Sequence, residues 1–169
     1  RARVRAALTW SAEKRAASGD FGELSPSDLW STIGDLREEL KDSDGSRAAW
    51  KKAAELLTAK VKTGLERSAQ LERAYAVWKS GDTAGAEAIY QKLQKAYPDE
   101  FTFFHSHASM LNKEKRWDEA FALAQKSVAR SYGDNKLRAV LLQAKILAAK
   151  SDRDQALTLL QTTIRDTKT

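Results

Sequence analysis

A chain of 169 residues with no cysteine, five tryptophans and a formal net charge of +6 excludes disulfides, thiol catalysis and cysteine-ligated zinc. Its length suits one domain or one compact repeat array, and no apolar run approaches the ~18–20 residues needed to cross a bilayer. Two prolines and eight glycines against 31% charged residues, with almost no β-branched runs, predict helix throughout.

The charge is uneven. Residues 1–66 carry 12 basic and 11 acidic side chains, and residues 67–169 carry 17 and 12. A mild basic excess in the second part suits an acidic partner, but an ordinary solvated helical surface is the better-favoured account of it. The absence of cysteine suits the cytoplasm and the bacterial periplasm or envelope alike, so the compartment stays open. A chain beginning with Arg1 rather than Met is expected to be a fragment or processed form of a larger protein.

Residues 2–18 read as a helix with a narrow apolar stripe of Val4, Ala7, Leu8 and Ala12. Arg3, Arg5, Lys14 and Arg15 lie elsewhere on it, and Gly19 is its stop. A basic amphipathic helix also suits a membrane surface, but this stripe is short and alanine-rich, which favours an edge helix. Ser25-Pro26-Ser27-Asp28 is a helix start, because Ser25 can cap, Pro26 suits the first helical position and Asp28 favours the positive end of the dipole. Leu29, Ile33, Leu36 and Leu40 follow at helical spacing. Asp42 to Gly45 breaks that helix. A third runs from about Ser46 to Val61 with Ala49, Trp50, Ala53, Leu56 and Leu57 on one side, and Gly64 ends it.

Beyond this point the chain is periodic. Ala74, Ala108 and Ala144 fall mid-way along three successive helices, 34 and then 36 positions apart. Ala86, Ala120 and Ala156 open the partner helices at the same spacings, and Tyr90, Ala124 and Leu160 follow four residues on. Ser80-Gly81-Asp82, Glu114-Lys115-Arg116 and Ser151-Asp152 read as the turns within pairs. Pro98-Asp99 and Tyr132 to Asn135 read as the junctions between them. A helix–turn–helix unit every ~34 residues is the signature of a solenoid. Small residues are needed where paired helices cross, and Phe104, Leu111, Leu123, Leu147 and Leu159 then fill the space between units.

Those residues resemble the tetratricopeptide repeat family. The unit 67–100 matches its pattern through Ala74, Gly81, Ala86, Tyr90 and Pro98. The unit 101–134 keeps Ala108, Trp117 and Ala120 without the glycine or proline, and 137–169 keeps Ala144 and Ala156. Residues 26–63 look like a degenerate further unit, with Asp44-Gly45 as its turn and Ala49 and Ala53 as its partner-helix pair. The expected organisation is a divergent helical segment, 1–66, packed on three repeats, 67–169. The resemblance implies an all-α solenoid of about nine helices in a right-handed superhelix. It also implies a protein–protein interaction or scaffolding role within a larger protein, with a peptide or partner helix in an inner groove. By register the groove would be lined by Leu71, Tyr75, Trp78 and Lys79, then His105, Asn112 and Lys113, then Arg138 and Lys145, with Thr102, Ser109 and Leu141 among them. Aromatic anchors, amides and cations suit an extended or helical peptide of acidic character. The stripe Leu71, Ala74, Tyr75, Trp78 also has the spacing of a core stripe, so whether Tyr75 and Trp78 face core or groove stays open.

Some relatives of this kind clamp the C-terminal carboxylate of chaperones with lysine and asparagine in one unit, asparagine in the next, and lysine with arginine in the third. The corresponding positions here hold Leu71, Tyr75, Ser106, Arg138 and Leu142; only Arg138 fits, which argues against that partner. His105 and His107 are two apart and point about 200° from each other on a helix, so they cannot share a metal. No nucleophile elbow surrounds Ser106 or Ser109, and no phosphate, dinucleotide, zinc or calcium motif is present. The reading is therefore of no catalytic, cofactor or metal site and no enzyme. RNA reading by repeats needs a regular polar pair and a continuous basic stripe; Leu71, Leu141, Glu72 and Glu114 interrupt both. Two further readings stay open. One is an accessory domain of a bacterial thioredoxin-fold protein. The other is self-association through the last helix, where Leu157, Leu160 and Ile164 lack a polar capping helix.

Overall fold

The structure, a computed structural model, describes residues 2–61 and 67–166. The stop expected at Gly64 lies outside them, as do residues 167–169. Among the described residues all regular structure is α-helical: α1 (Ala2–Ser18), α2 (Pro26–Glu39), α3 (Ser43–Val61), α4 (Arg67–Lys79), α5 (Thr83–Ala96), α6 (Phe101–Lys113), α7 (Trp117–Arg130), α8 (Asp134–Ala149) and α9 (Arg153–Asp166). They form two compact units, Arg1–Ile89 and Tyr90–Thr169, divided within α5.

One backbone device recurs at four helix ends. Lys41, Gly81, Lys115 and Ser151 all have positive φ, between 61° and 101°. In each case the next residue's N–H bonds back to a carbonyl five positions earlier. These bonds are Asp42 to Arg37 at 2.9 Å, Asp82 to Val77 at 3.2 Å, Arg116 to Leu111 at 2.9 Å and Asp152 to Leu147 at 2.9 Å. That pattern closes one helix by satisfying its last carbonyls. The same next residue opens the following helix. The Oδ1 of Asp42 accepts from the Gly45 N–H at 3.0 Å, that of Asp82 from Gly85 at 2.8 Å and that of Asp152 from Gln155 at 3.3 Å. Arg116 makes no such cap and instead holds the Glu119 carboxylate with two nitrogens, at 2.7 and 2.6 Å.

Aligning these turns puts small residues at matching places. Seven positions before each positive-φ residue stand Gly34, Ala74, Ala108 and Ala144, and five after each stand Ser46, Ala86, Ala120 and Ala156. All eight are buried. The expected alanine register from Ala74 to Ala156 is thus the buried one. The earlier turn needs correction. It lies at Lys41-Asp42, because Asp42 takes the Gly45 N–H and makes Gly45 part of the first turn of α3. The residues at the matching positions are then Gly34, Ser46 and Trp50 rather than Ala49 and Ala53, although those two are also buried.

In the first unit α2 packs on α1 and α3, and α3 on α4. Ser25 caps α2 in a reciprocal box with Asp28, with Pro26 in the first turn. Leu29, Ile33 and Ala49 form one apolar cluster with Phe21, Ala12 and Ala16 against it. Trp50, Ala53, Ala54, Leu57 and Ala76 form a second. The face of α1 differs from the expected stripe. Val4, Ala7 and Leu8 are exposed, while Thr9 is buried and Ala12, Glu13 and Ala16 are half-buried. Two ion pairs accompany this orientation: Arg5 pairs with Glu39 at 2.5 Å, and Glu13 accepts from Arg37 at 2.7 Å. Its alanines Ala12 and Ala16, not its larger side chains, pack against Leu29, Ile33 and Ala49.

In the second unit α6 packs on α7, α7 on α8 and α8 on α9, and α6 also touches α8. Phe103, Phe104, Met110 and Leu111 are buried along α6. Tyr90 stacks on His107, with centroids 5.2 Å apart and planes within 12°. Gln94 lies 3.2 Å from the His107 Nδ1 and donates to the Phe103 carbonyl. His107 is therefore a core residue.

Candidate interaction faces

The residues expected to meet a partner fall on three helices: Leu71, Tyr75, Trp78 and Lys79 on α4, His105, Asn112 and Lys113 on α6, and Arg138 and Lys145 on α8.

On α4, Leu71 and Trp78 are half-buried and Tyr75 is 37% exposed. Tyr75 meets Trp50 edge-on at 5.4 Å and Trp78 edge-on at 5.5 Å, a favoured arrangement for aromatic quadrupoles. The Lys79 ammonium pairs with Glu38 and lies 5.6 Å from the Trp50 ring and 5.9 Å from the Trp78 ring. Burial pushes the Tyr75 phenol up; the carboxylates of Asp35 and Glu38 act the same way, and Lys79 opposes them. The helix spacing of the α4 residues is legible in the sequence. Their partners Trp50 and Glu38 come from α3 and α2, and only the Lys41 turn reveals that these helices reach them. The cation expected at Lys79 is largely offset within the chain.

The face on α6 and α8 is different. His105 is half-buried beside Phe101, centroids 6.4 Å apart. Burial lowers its pKa below the ordinary 6.5; Arg138 and Lys145 lower it further by their charge, and a hydrogen bond to the Arg138 backbone works against them. Arg138, Lys145 and Lys113 are exposed. Asn112 is half-buried, and its Oδ1 is buried with no hydrogen-bond partner. The structure thus brings His105, Arg138 and Lys145 together, with Asn112 and Lys113 at the C-terminal end of α6. Among the described residues no three acidic, histidine or cysteine side chains cluster to hold a metal ion. No described helix is long and apolar enough to cross a membrane.

Paired helices closed by one repeated turn make this an all-α helical-repeat protein of the tetratricopeptide fold. No family model and no curated protein matches the chain, but solved structures do. Two are structures of MamA. One is 12% identical with a TM-score of 0.53, covering 95% of this chain and 91% of that one. The other is 14% identical with a TM-score of 0.51, covering 94% and 97%. A third is YrrB, described as a TPR protein with an unusual peptide-binding site, 15% identical with a TM-score of 0.50 over 97% of this chain and 81% of that one. Likeness at these identities speaks for the fold.

Proposed function

We propose that the chain is a non-enzymatic protein-interaction domain of a larger protein, and that the face made by α6 and α8 binds an acidic peptide. One observation carries this reading. His105, Arg138 and Lys145 share a surface on which the charges acting on the histidine are both positive, whereas the lysine expected in the groove on α4, Lys79, is matched by Glu38. Unmatched cations beside a half-buried ring and an amide supply steering, charge pairing and a flat apolar contact. The peptide-binding site named for YrrB fits the same kind of work.

The test is fluorescence anisotropy with labelled peptides of matched length, acidic and basic. The acidic peptide is expected to bind, and Arg138→Glu with Lys145→Glu to weaken it about tenfold or more. Equal binding of both peptides, or no effect of the double substitution, would count against the proposal. RNA binding would instead show a steep fall with salt through counterion release.

A further inference from the structure

Helix α1 turns its larger apolar side chains away from α2. Val4, Leu8 and Trp10 are each more than half exposed, and Ala7 lies open between them. Cations share that outward face. Val4, Leu8 and Arg15 fall in one row of the helix, and Arg3, Ala7, Trp10 and Lys14 in the adjacent row. The Lys14 ammonium lies over the Trp10 ring at 4.1 Å, and Arg15 donates to the Asp20 carbonyl at 3.3 Å. Glu13, the one acidic residue of α1, is turned inward to Arg37. Every charge that α1 presents outward is therefore positive.

Those charges decide what can cover the face. Where helices of this chain pack on one another they meet through small and apolar side chains, and no lysine, arginine, aspartate or glutamate is buried among the described residues. A helix laid on α1 in that manner would have to bury Arg3 and Lys14 with the apolar residues between them, and so desolvate both. A second copy of α1 would set the same cations against like charges. An anionic bilayer makes neither demand. A helix on its surface buries its apolar side chains about 5–10 Å into the headgroup–acyl boundary, where long basic side chains reach out to the phosphates and tryptophan is favoured. We propose that α1 lies by its outward face on an anionic lipid bilayer, with Val4, Leu8 and Trp10 entering the boundary and Arg3 and Lys14 meeting lipid phosphates. The contact uses none of the residues of the α6–α8 face, so the two proposals fail independently.

The test is co-flotation of the whole chain with vesicles of mixed phosphatidylcholine and phosphatidylglycerol, compared with phosphatidylcholine alone. The chain is expected to float with the mixed vesicles and to bind the neutral ones about tenfold or more weakly. Leu8→Asp, and separately Arg3→Glu with Lys14→Glu, all at exposed positions, should each weaken binding to the mixed vesicles about tenfold or more with the thermal melt unchanged. Brominated lipid should quench Trp10, read as the difference between the chain and its Trp10→Phe variant. Arg138→Glu with Lys145→Glu should change vesicle binding by no more than about twofold, because charges outside the contact are screened. Absence of flotation, equal flotation with both vesicles, or no quenching of Trp10 overturns the proposal. So does flotation that ignores the α1 substitutions or is lost through Arg138 and Lys145. A dimer in sedimentation velocity that Leu8→Asp dissociates would also overturn it, by assigning the face to a second copy.

Discussion

Trp50 of α3 lies directly over Gly34 of α2: a methyl group built on Gly34 would sit 2.5 Å from the indole nitrogen and 2.6 and 2.8 Å from two ring carbons. Gly34 is helical and buried, so alanine there gains about 1 kcal/mol of helix propensity. Driving a methyl into a buried ring costs about 1–3 kcal/mol. Because the ring is held in the Trp50, Ala53, Leu57 and Ala76 cluster, the clash should win. Gly34→Ala is expected to lower the urea midpoint, and Gly34→Ala with Trp50→Tyr to recover part of the loss, since the matching positions hold Ala74 and Tyr90. A double substitution no better than the single one would show that ring size is not the cause.

Ala120 is fully buried at the start of α7. A carboxylate there must either be desolvated or open the helix pair, a cost of several kcal/mol. Ala120→Glu is expected to abolish the cooperative melt of the second unit by circular dichroism, and Ala86→Glu, at an equally buried site, that of the first. A wild-type melting profile in either variant would refute the register.

Lys41, Lys115 and Ser151 adopt the left-handed conformation that costs an L-residue about 1–2 kcal/mol. Lys115→Gly should therefore stabilise the protein by about 0.5–1 kcal/mol, after allowing for glycine's greater freedom in the unfolded chain. The converse, Gly81→Ala, should destabilise. Denaturant titration of both variants reads the two signs, and only opposite signs agree with a shared turn.

His105 offers a dependence on pH. Its folded pKa lies below the ordinary 6.5 through burial, helped by Arg138 and Lys145. The unfolded chain therefore binds the proton more readily, and stability falls as pH drops below 6.5 until the folded group also titrates. His105→Gln should flatten that part of the stability profile. An unchanged slope between neutral pH and the upper carboxylate range would place the titration elsewhere.

The small residues were legible because each sits a fixed distance from a turn, and Ala74, Ala86, Ala108, Ala120, Ala144 and Ala156 all lie in the core. The first turn was not legible because Asp44-Gly45 has stronger turn chemistry than Lys41-Asp42. Only the three-dimensional bonds show the aspartate capping and the glycine inside the helix. The candidate face was legible as a set of helix positions. Its electrostatics were not, since pairing of Lys79 with Glu38 and crowding of His105 by Arg138 and Lys145 depend on contacts between helices.

The outward rotation of α1 fixes the order in which the first unit comes apart. Its larger apolar side chains contribute little burial, and its attachment combines the small contacts of Ala12 and Ala16 with the Arg5–Glu39 and Arg37–Glu13 pairs, which salt screens. This helix should thus be the first element to exchange its amide hydrogens, by local opening rather than global unfolding, and sooner still at high ionic strength. Trp10, 60% exposed and stacked under the Lys14 ammonium at 4.1 Å, provides a fluorescent reporter on the fraying segment itself.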